Sequence, residues 1–191
     1  MQQKKTALFI GSTGLIGELL LKKLIENKSY TKIILLQRNK PTIHSTLIKY
    51  IYTDFSKLDK KINLNTKIDD LISCFGTTKK KAKTKEKFIE IDYRYPLKVA
   101  KIAKNHQTKR VFLISSIGAN PNAKSLYLKT KGQLEESIKK LNFENTIILR
   151  PSLLLGKRKE SRFFEKIMIK CAQILKTNQW PKLLQNYTPI E

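Results

Sequence analysis

The stretch TALFIGSTGLIG, at residues 6–17, decides the fold. Its first part, Thr6–Ile10, is apolar and β-branched, which predicts a buried strand. Three glycines at three-residue spacing follow, and the pattern after them is helical to about Asn27. A glycine turn between a strand and a helix is the context in which such a motif binds the pyrophosphate of a dinucleotide.

The three glycines would have separate roles in such a turn. Gly11 would permit the tight turn, Gly14 would let the backbone approach a pyrophosphate, and Gly17 would let the helix pack closely on the sheet. The phosphates would lie at the helix N-terminus, where unpaired N–H groups and the helix dipole favour anions. An ordinary strand-to-helix turn without a ligand is the alternative interpretation.

The rest of the chain alternates short β-branched runs with longer segments of helical period, which is typical of βαβ units. The further predicted strands are Lys32–Leu36, Ile48–Thr53, Ile68–Cys74, Arg110–Ser115 and Thr146–Leu149, and the further helices are Phe88–Asn105 and Tyr127–Leu141. We therefore predict an α/β fold with a Rossmann-type, doubly wound parallel sheet. It would form a single domain over residues 1–191, in which residues 162–191 are a shortened C-terminal extension.

The composition limits the function classes. The net charge is +24, most of it from lysines spread along the chain. The lysine-rich run at residues 79–87 has no aromatic residue to stack on bases, so we interpret it as a solvated basic surface, with a polyanion site as the alternative. We expect no specific binding of nucleic acid.

The same sequence predicts where the protein resides. No apolar run is long enough for a transmembrane helix or a signal peptide. Cys74 and Cys171 are far apart, which suggests reduced thiols. We therefore expect a cytoplasmic protein. The amphipathic segment at residues 163–175 would pack on its own domain, join a homodimer, or contact a membrane or partner.

The residues after the second predicted strand indicate which dinucleotide is bound. A site that prefers NAD usually has an acidic residue about twenty positions after the glycine motif, where it binds the ribose 2′-hydroxyl. Here the sequence reads QRNK at residues 37–40, without a carboxylate. Arg38 could instead pair with a 2′-phosphate, so NADP(H) is the predicted cofactor.

A candidate catalytic group follows further along the chain. Ser115 and Ser116 end the fifth predicted strand, and Tyr127 and Lys131 lie four residues apart at the start of the next helix. Residues at this spacing share one helix face, and an ammonium near a phenol favours release of its proton. A serine hydroxyl could orient a substrate carbonyl.

The motifs GSTGLIG, QRNK, CFGTT, LISSIGA, YLKTKGQLE and ILRPSLLLG, in this order, resemble those of the atypical short-chain dehydrogenase/reductases. The resemblance runs from about Leu8 to Arg162 and is strongest to the Tat-interacting oxidoreductase-like group and its small bacterial relatives. It implies a Rossmann fold that binds NADP(H). Members of this group often lack a defined substrate.

The resemblance also implies residue roles. It places the pyrophosphate at Gly11, Ser12, Thr13, Leu15 and Ile16, the 2′-phosphate at Arg38, the adenine at Asp54 and Phe55, the ribose and nicotinamide at Phe75, Gly76, Thr77 and Lys131, and the nicotinamide amide at Pro151 and Ser152. Ser116 (or Ser115), Tyr127 and Lys131 would be the catalytic residues.

Two functions fit these residues. The first is hydride transfer between NADP(H) and a small carbonyl or alcohol substrate, which the presence of serine, tyrosine and lysine together favours. The second is a non-catalytic regulator or scaffold that senses NADP(H). The short C-terminal region favours it, because that region usually shapes the substrate pocket in this superfamily.

Overall fold

A computed structural model describes residues 5–38, 43–58, 64 and 66–151, together with residues 169, 173 and 175. The described strands are β1 (Thr6–Ile10), β2 (Lys32–Gln37), β3 (Ile48–Tyr52), β4 (Asp70–Ser73), β5 (Arg110–Ile114) and β6 (Asn145–Leu149). All neighbouring strands are parallel, in the order β3-β2-β1-β4-β5-β6. The predicted doubly wound α/β sheet is confirmed, and every predicted strand has a counterpart.

The strand order reverses between β1 and β4. From β1 the chain moves outward to β2 and β3, and it then returns to add β4 on the other side of β1. The connections after β1 and β4 therefore diverge, which leaves a crevice at the carboxyl ends of these two strands. The glycine turn lies at the carboxyl end of β1.

The described helices are α1 (Leu15–Glu26), α2 (Lys79–Ala82), α3 (Lys85–Ile89), α4 (Tyr95–Asn105) and α5 (Leu126–Lys139), with a 3₁₀ turn at Phe55–Lys57. A π-helical segment, Glu90–Arg94, joins α3 to α4, so the helix predicted over 88–105 contains an irregular turn. Pro96 lies in the first turn of α4 and has no N–H with which to continue the α-helical hydrogen bonds. Such π-turns are frequent at functional sites.

The sheet is covered on both faces. Side chains alternate along β1, so Leu8 and Ile10 pack in one apolar cluster with Val99 of α4 and Leu134 of α5. The other cluster contains Phe9 and residues of α1. Burial on both faces explains why β1 reads as a continuous apolar run.

Some predictions concern single features. Cys74 is half-buried and packs against the second cluster. The lysines of α2 are exposed, as expected for a solvated surface. Within the described residues, no helix is long and apolar enough to cross a membrane. Most of residues 162–191, and with them most of the predicted helix at 163–175, lie outside the described residues.

Candidate functional site

The turn after β1 depends on two glycines. Gly11 has a φ of +82°, and a Cβ at this position would overlap the backbone of Cys74 and Phe75, at the end of the neighbouring strand. A Cβ on Gly17 would overlap the carbonyl of Gly11. Gly14 is different, because a Cβ there would lie 3.6 Å from the Gly11 oxygen, an ordinary contact. Gly11 and Gly17 therefore hold the turn, whereas Gly14 leaves its surface open.

A cleft opens beside this turn. It is lined by Gly11, Ser12, Thr13, Leu36, Gln37, Arg38, Phe55 and Phe75. The buried Gln37 accepts a hydrogen bond of 3.3 Å from the Ser12 hydroxyl, while Arg38 is exposed at the rim. No carboxylate is among the lining residues, so the cleft suits an anion.

Aromatic side chains form one wall of the cleft. The ring centroids of Phe55 and Phe75 are 4.6 Å apart, and Tyr95 lies 5.8 Å from Phe55. The preceding Asp54 caps the 3₁₀ turn by accepting a hydrogen bond of 2.9 Å from the Ser56 N–H. That hydrogen bond lowers the pKa of the Asp54 carboxyl. The aromatic wall of the cleft is thus preceded in the chain by an exposed carboxylate that is not among the lining residues.

Lys131 lies at the far side of the loop that follows β4. Its ammonium is 3.0 Å from Asp92 Oδ1, and the side chains are only 6% and 1% exposed. Asp92 Oδ2 accepts a hydrogen bond of 2.8 Å from the Thr77 N–H. A Cβ on Gly76 would lie 3.0 Å from Asp92 Oδ1 and 3.2 Å from Lys131 Nζ. The loop, the π-helical segment and α5 therefore meet at one carboxylate.

The other candidate catalytic residues are in the same region. Ser115 and Ser116 are both 4% exposed, and the Ser116 hydroxyl donates to the carbonyl of Ile117 at 3.3 Å. The half-buried Tyr127 is in the first turn of α5, with its ring 6.2 Å from that of Phe88. Within the described part of the chain, no hydrogen bond joins the side chains of Ser116, Tyr127 and Lys131.

Two close contacts hold α5 and the nearby loops in place. A Cβ on Gly132 would overlap the backbone at Asn120 and Pro121, so this glycine lets α5 approach the loop after β5. The carbonyl of Pro151 accepts a hydrogen bond of 3.0 Å from the Ile117 N–H. Ser152, also predicted to bind the cofactor, lies outside the described residues.

Sequence reasoning did not identify Asp92. A signal for it exists, because Asp92 follows the buried Phe88 by four residues and precedes the buried Tyr95 by three. It therefore lies on the apolar stripe of the predicted helix, where a carboxylate requires a partner. The neighbouring apolar residue, Ile91, is only partly buried.

The sheet order and the glycine turn are those of the Rossmann-like short-chain dehydrogenase/reductase fold. A short-chain dehydrogenase from Leptospira borgpetersenii, solved with bound NAD⁺, superposes with a TM-score of 0.68 over 92% of this chain and 87% of its own, at 15% identity. At this identity the comparison defines the fold.

Sequence comparison gives the family. The HIM1 family model matches residues 45–185, so the chain belongs to the HIM1 family. It is 40% identical to the mitochondrial protein FMP52 of Meyerozyma guilliermondii over 90% of this chain and 75% of that protein. It is also 34% identical to protein HTATIP2 of Rattus norvegicus over 84% of this chain and 67% of that protein. These comparisons confirm the short-chain dehydrogenase/reductase-like fold that the resemblance implied, but they do not support its bacterial part, since these sequence relatives are fungal and mammalian.

These relatives correct the expected location. The FMP52 proteins of Meyerozyma guilliermondii and of other fungi are named as mitochondrial. The prediction of a cytoplasmic protein is therefore wrong. It relied on the absence of an apolar signal peptide, and import into mitochondria does not require one, because transit peptides are amphipathic.

Proposed function

We propose that the chain is an NADP(H)-dependent oxidoreductase that reduces a small carbonyl compound or oxidises the corresponding alcohol. The glycine turn at the β1–β4 crevice carries this proposal, because Gly11 and Gly17 permit its close backbone packing and Gly14 leaves its surface open to a ligand. The pyrophosphate would lie at the N-terminus of α1, beside Ser12 and Thr13. The other lining residues would hold the adenosine part, with Asp54 at the adenine.

The preference for NADP(H) rests on Arg38. The exposed guanidinium at the rim would bind a 2′-phosphate by charge-assisted hydrogen bonds, and the neutral Gln37 stands beside it instead of an acid. Fluorescence titration of NADPH and NADH measures this preference. We expect tighter binding of NADPH, and tighter binding of NADH would contradict the assignment.

The matched variants are Arg38→Gln and Lys101→Gln. Each removes one positive charge from an exposed position, but Lys101 lies on α4, away from the cleft lining. Arg38→Gln should lose about tenfold in NADPH affinity, equivalent to about 1.4 kcal/mol, with NADH affinity unchanged. Lys101→Gln should leave both affinities unchanged, which separates a specific contact from the effect of net charge.

Catalysis would use residues at the start of α5. When bound, NADPH supplies a hydride to the substrate carbonyl carbon. Tyr127 would donate the proton that the carbonyl oxygen needs, and Ser116 would hold that oxygen by a hydrogen bond. Lys131 would bind the nicotinamide ribose. A panel of small carbonyl compounds with NADPH absorbance as the readout tests this role.

Tyr127→Phe and Tyr93→Phe form the variant pair for that assay. Both remove one tyrosine hydroxyl, and Tyr93 lies on the π-helical segment with its hydroxyl 3.0 Å from Ser137 Oγ. Tyr127→Phe should abolish turnover while NADPH still binds, and Tyr93→Phe should retain it. Full turnover by Tyr127→Phe would remove Tyr127 from the mechanism.

A second candidate function, a non-catalytic NADP(H) sensor, is favoured by one contact. Asp92 already neutralises the charge of Lys131, which weakens the effect of this ammonium on a nearby phenol. A sensor would bind NADPH, turn over no carbonyl compound and change its affinity for a partner protein when the cofactor binds. Turnover that depends on Tyr127 would exclude it.

The names of the fungal relatives support a mitochondrial location for this activity. Cell fractionation with an antibody to the native protein tests it. Recovery of the protein only outside the mitochondrial fraction would contradict this assignment.

A further inference from the structure

We propose that Asp92 is a positioning residue, whose carboxylate holds Lys131 and the Phe75–Thr77 loop in the arrangement that the bound cofactor requires. The inference rests on the proposed function, because it concerns the same site. Asp92 would act through Lys131 and the loop, without touching the cofactor itself.

The first observation is that one carboxylate serves two elements. Oδ1 lies 3.0 Å from the ammonium of Lys131 on α5, and Oδ2 accepts the Thr77 N–H at 2.8 Å. Neither element is part of the sheet, and their relative position is not fixed by strand pairing. The carboxylate is thus a direct link between them.

The second observation is burial. Asp92 is 0% exposed and Lys131 is 5% exposed, so water cannot replace either partner. Burial raises the pKa of the Asp92 carboxyl, and the Lys131 ammonium opposes this change. A buried carboxylate costs free energy unless it is paired, and its presence here is explained by the two groups that it holds.

The third observation is the backbone that presents Asp92. It occupies the middle of the π-helical segment Glu90–Arg94, between α3 and α4. The wider turn changes the angular spacing of side chains, and Asp92 faces inward while the preceding Ile91 is only partly buried. The segment therefore departs from regular α-helical hydrogen bonding, and this departure directs the Asp92 carboxylate at Lys131.

The fourth observation concerns what remains available. An ammonium has three N–H donors, and the contact of Lys131 with Asp92 is an ion pair with 3.0 Å between Nζ and Oδ1. The N–H groups of Lys131 can donate to ribose hydroxyls while Asp92 fixes the position of the nitrogen. Gly76 leaves the space next to the pair free of a side chain.

A double-mutant cycle on cofactor affinity tests the inference. Asp92→Asn retains an oxygen for the Thr77 N–H and removes the charge that holds Lys131. We expect NADH affinity of the full chain to fall about tenfold in Asp92→Asn, within the range of couplings between contacting groups. In a Lys131→Met background the same substitution should change affinity less than about twofold, because the residue through which it acts is gone.

The matched control is Glu135→Gln. Glu135 is also a buried carboxylate, on the helix that carries Lys131, and it pairs with Arg150. Its loss should leave NADH affinity unchanged, whereas a general effect of removing a buried carboxylate that contacts or belongs to α5 would appear in both variants. A buried carboxylate with a merely structural role would lower stability without this dependence on Lys131.

A second variant keeps the test decisive if Asp92→Asn does not fold. Gly76→Ala removes no partner, but its methyl group would press on the facing atoms of Asp92 and Lys131. It should weaken NADH binding several-fold with Lys131 present and less than about twofold with Lys131→Met.

The outcomes separate the two proposals. Equal effects of Asp92→Asn, or of Gly76→Ala, with and without Lys131 would overturn the positioning role and leave the proposed function intact. If the folded wild-type chain binds neither NADH nor NADPH, both the proposed function and this inference are overturned.

Discussion

Two buried ion pairs lie at opposite ends of the sheet, and they are built differently. At the amino ends of β4 and β5, Asp70 and Arg110 are neighbours in the strand register, and the guanidinium meets the carboxylate through two contacts of 2.5 Å. At the carboxyl end, Lys131 and Asp92 come from helical segments outside the sheet, and a single contact of 3.0 Å joins them.

The two pairs also differ in how completely the protein satisfies them. Asp70 accepts a third hydrogen bond, of 2.6 Å, from Tyr30, and Arg110 also donates to the Leu175 carbonyl at 3.5 Å. Lys131 keeps donors for a ligand. The pair at the amino end of the sheet therefore belongs to a closed network that stabilises the sheet. The pair at the carboxyl end holds Lys131 in a position where it can still bind a ligand.

The largest effect should follow from Asp70→Asn. It removes the buried carboxylate that the Arg110 guanidinium meets through two contacts, and we expect the free energy of unfolding to fall by about 3–5 kcal/mol. Urea denaturation measures this loss, and NADH affinity of the folded protein should stay unchanged. A change in the Kd for NADH in Asp70→Asn would show that the two ends of the sheet are coupled, and it would contradict the separate roles assigned to the two ion pairs.

The next effect concerns the glycines of the turn. Gly11→Ala should lower the free energy of unfolding by about 3 kcal/mol, the upper end for a non-glycine residue at positive φ, because its methyl group also meets the backbone after β4. Gly14→Ala is the control, since its φ is −83° and its Cβ meets only an ordinary contact. Similar losses of stability in both variants would contradict the assignment of Gly11 as the strained position.

The sheet could be predicted from the sequence because the signals for its strands are local. The four central strands are short buried runs, and a strand that is covered on both faces, such as β2, reads as continuous apolar residues. The glycine turn is equally local, since its three glycines have a fixed spacing and follow β1 directly. The helix starting near Tyr127 was also found, and the structure begins it at Leu126.

The ion pairs could not be found in the same way, because each joins residues about forty positions apart. Asp70 and Arg110 require the strand register, and Asp92 requires the π-turn, which periodicity does not reveal. An acidic residue on an apolar stripe was the signal for Asp92, but its partner depends on how α5 packs. Pairing is thus a property of the tertiary structure.

A smaller effect should follow from Tyr30→Phe, which sharpens the description of the amino end. Burial raises the pKa of Tyr30 well above its usual range, so the phenol stays protonated and donates to Asp70. Losing a hydrogen bond to a charged acceptor should cost about 2 kcal/mol in the free energy of unfolding. Tyr93→Phe, which removes a contact with the neutral Ser137, should cost about 1 kcal/mol, and a larger loss there would reverse this ranking.

The smallest effect is a pH dependence at the carboxyl end. Because burial raises the pKa of Asp92, the folded state retains this proton to a higher pH than the unfolded state. Between the ordinary carboxyl pKa, about 4, and the raised value, the native state binds more protons, so this group lowers the free energy of unfolding as pH rises. The slope is at most about 1.4 kcal/mol per pH unit.

Urea denaturation of wild type and Asp92→Asn at several pH values isolates the contribution of Asp92 to this pH dependence, because the contributions of other groups cancel in the difference. A wild type that gains stability over Asp92→Asn as pH rises would instead identify Asp92 as a carboxylate stabilised by its pair, and the contrast with the amino end would disappear.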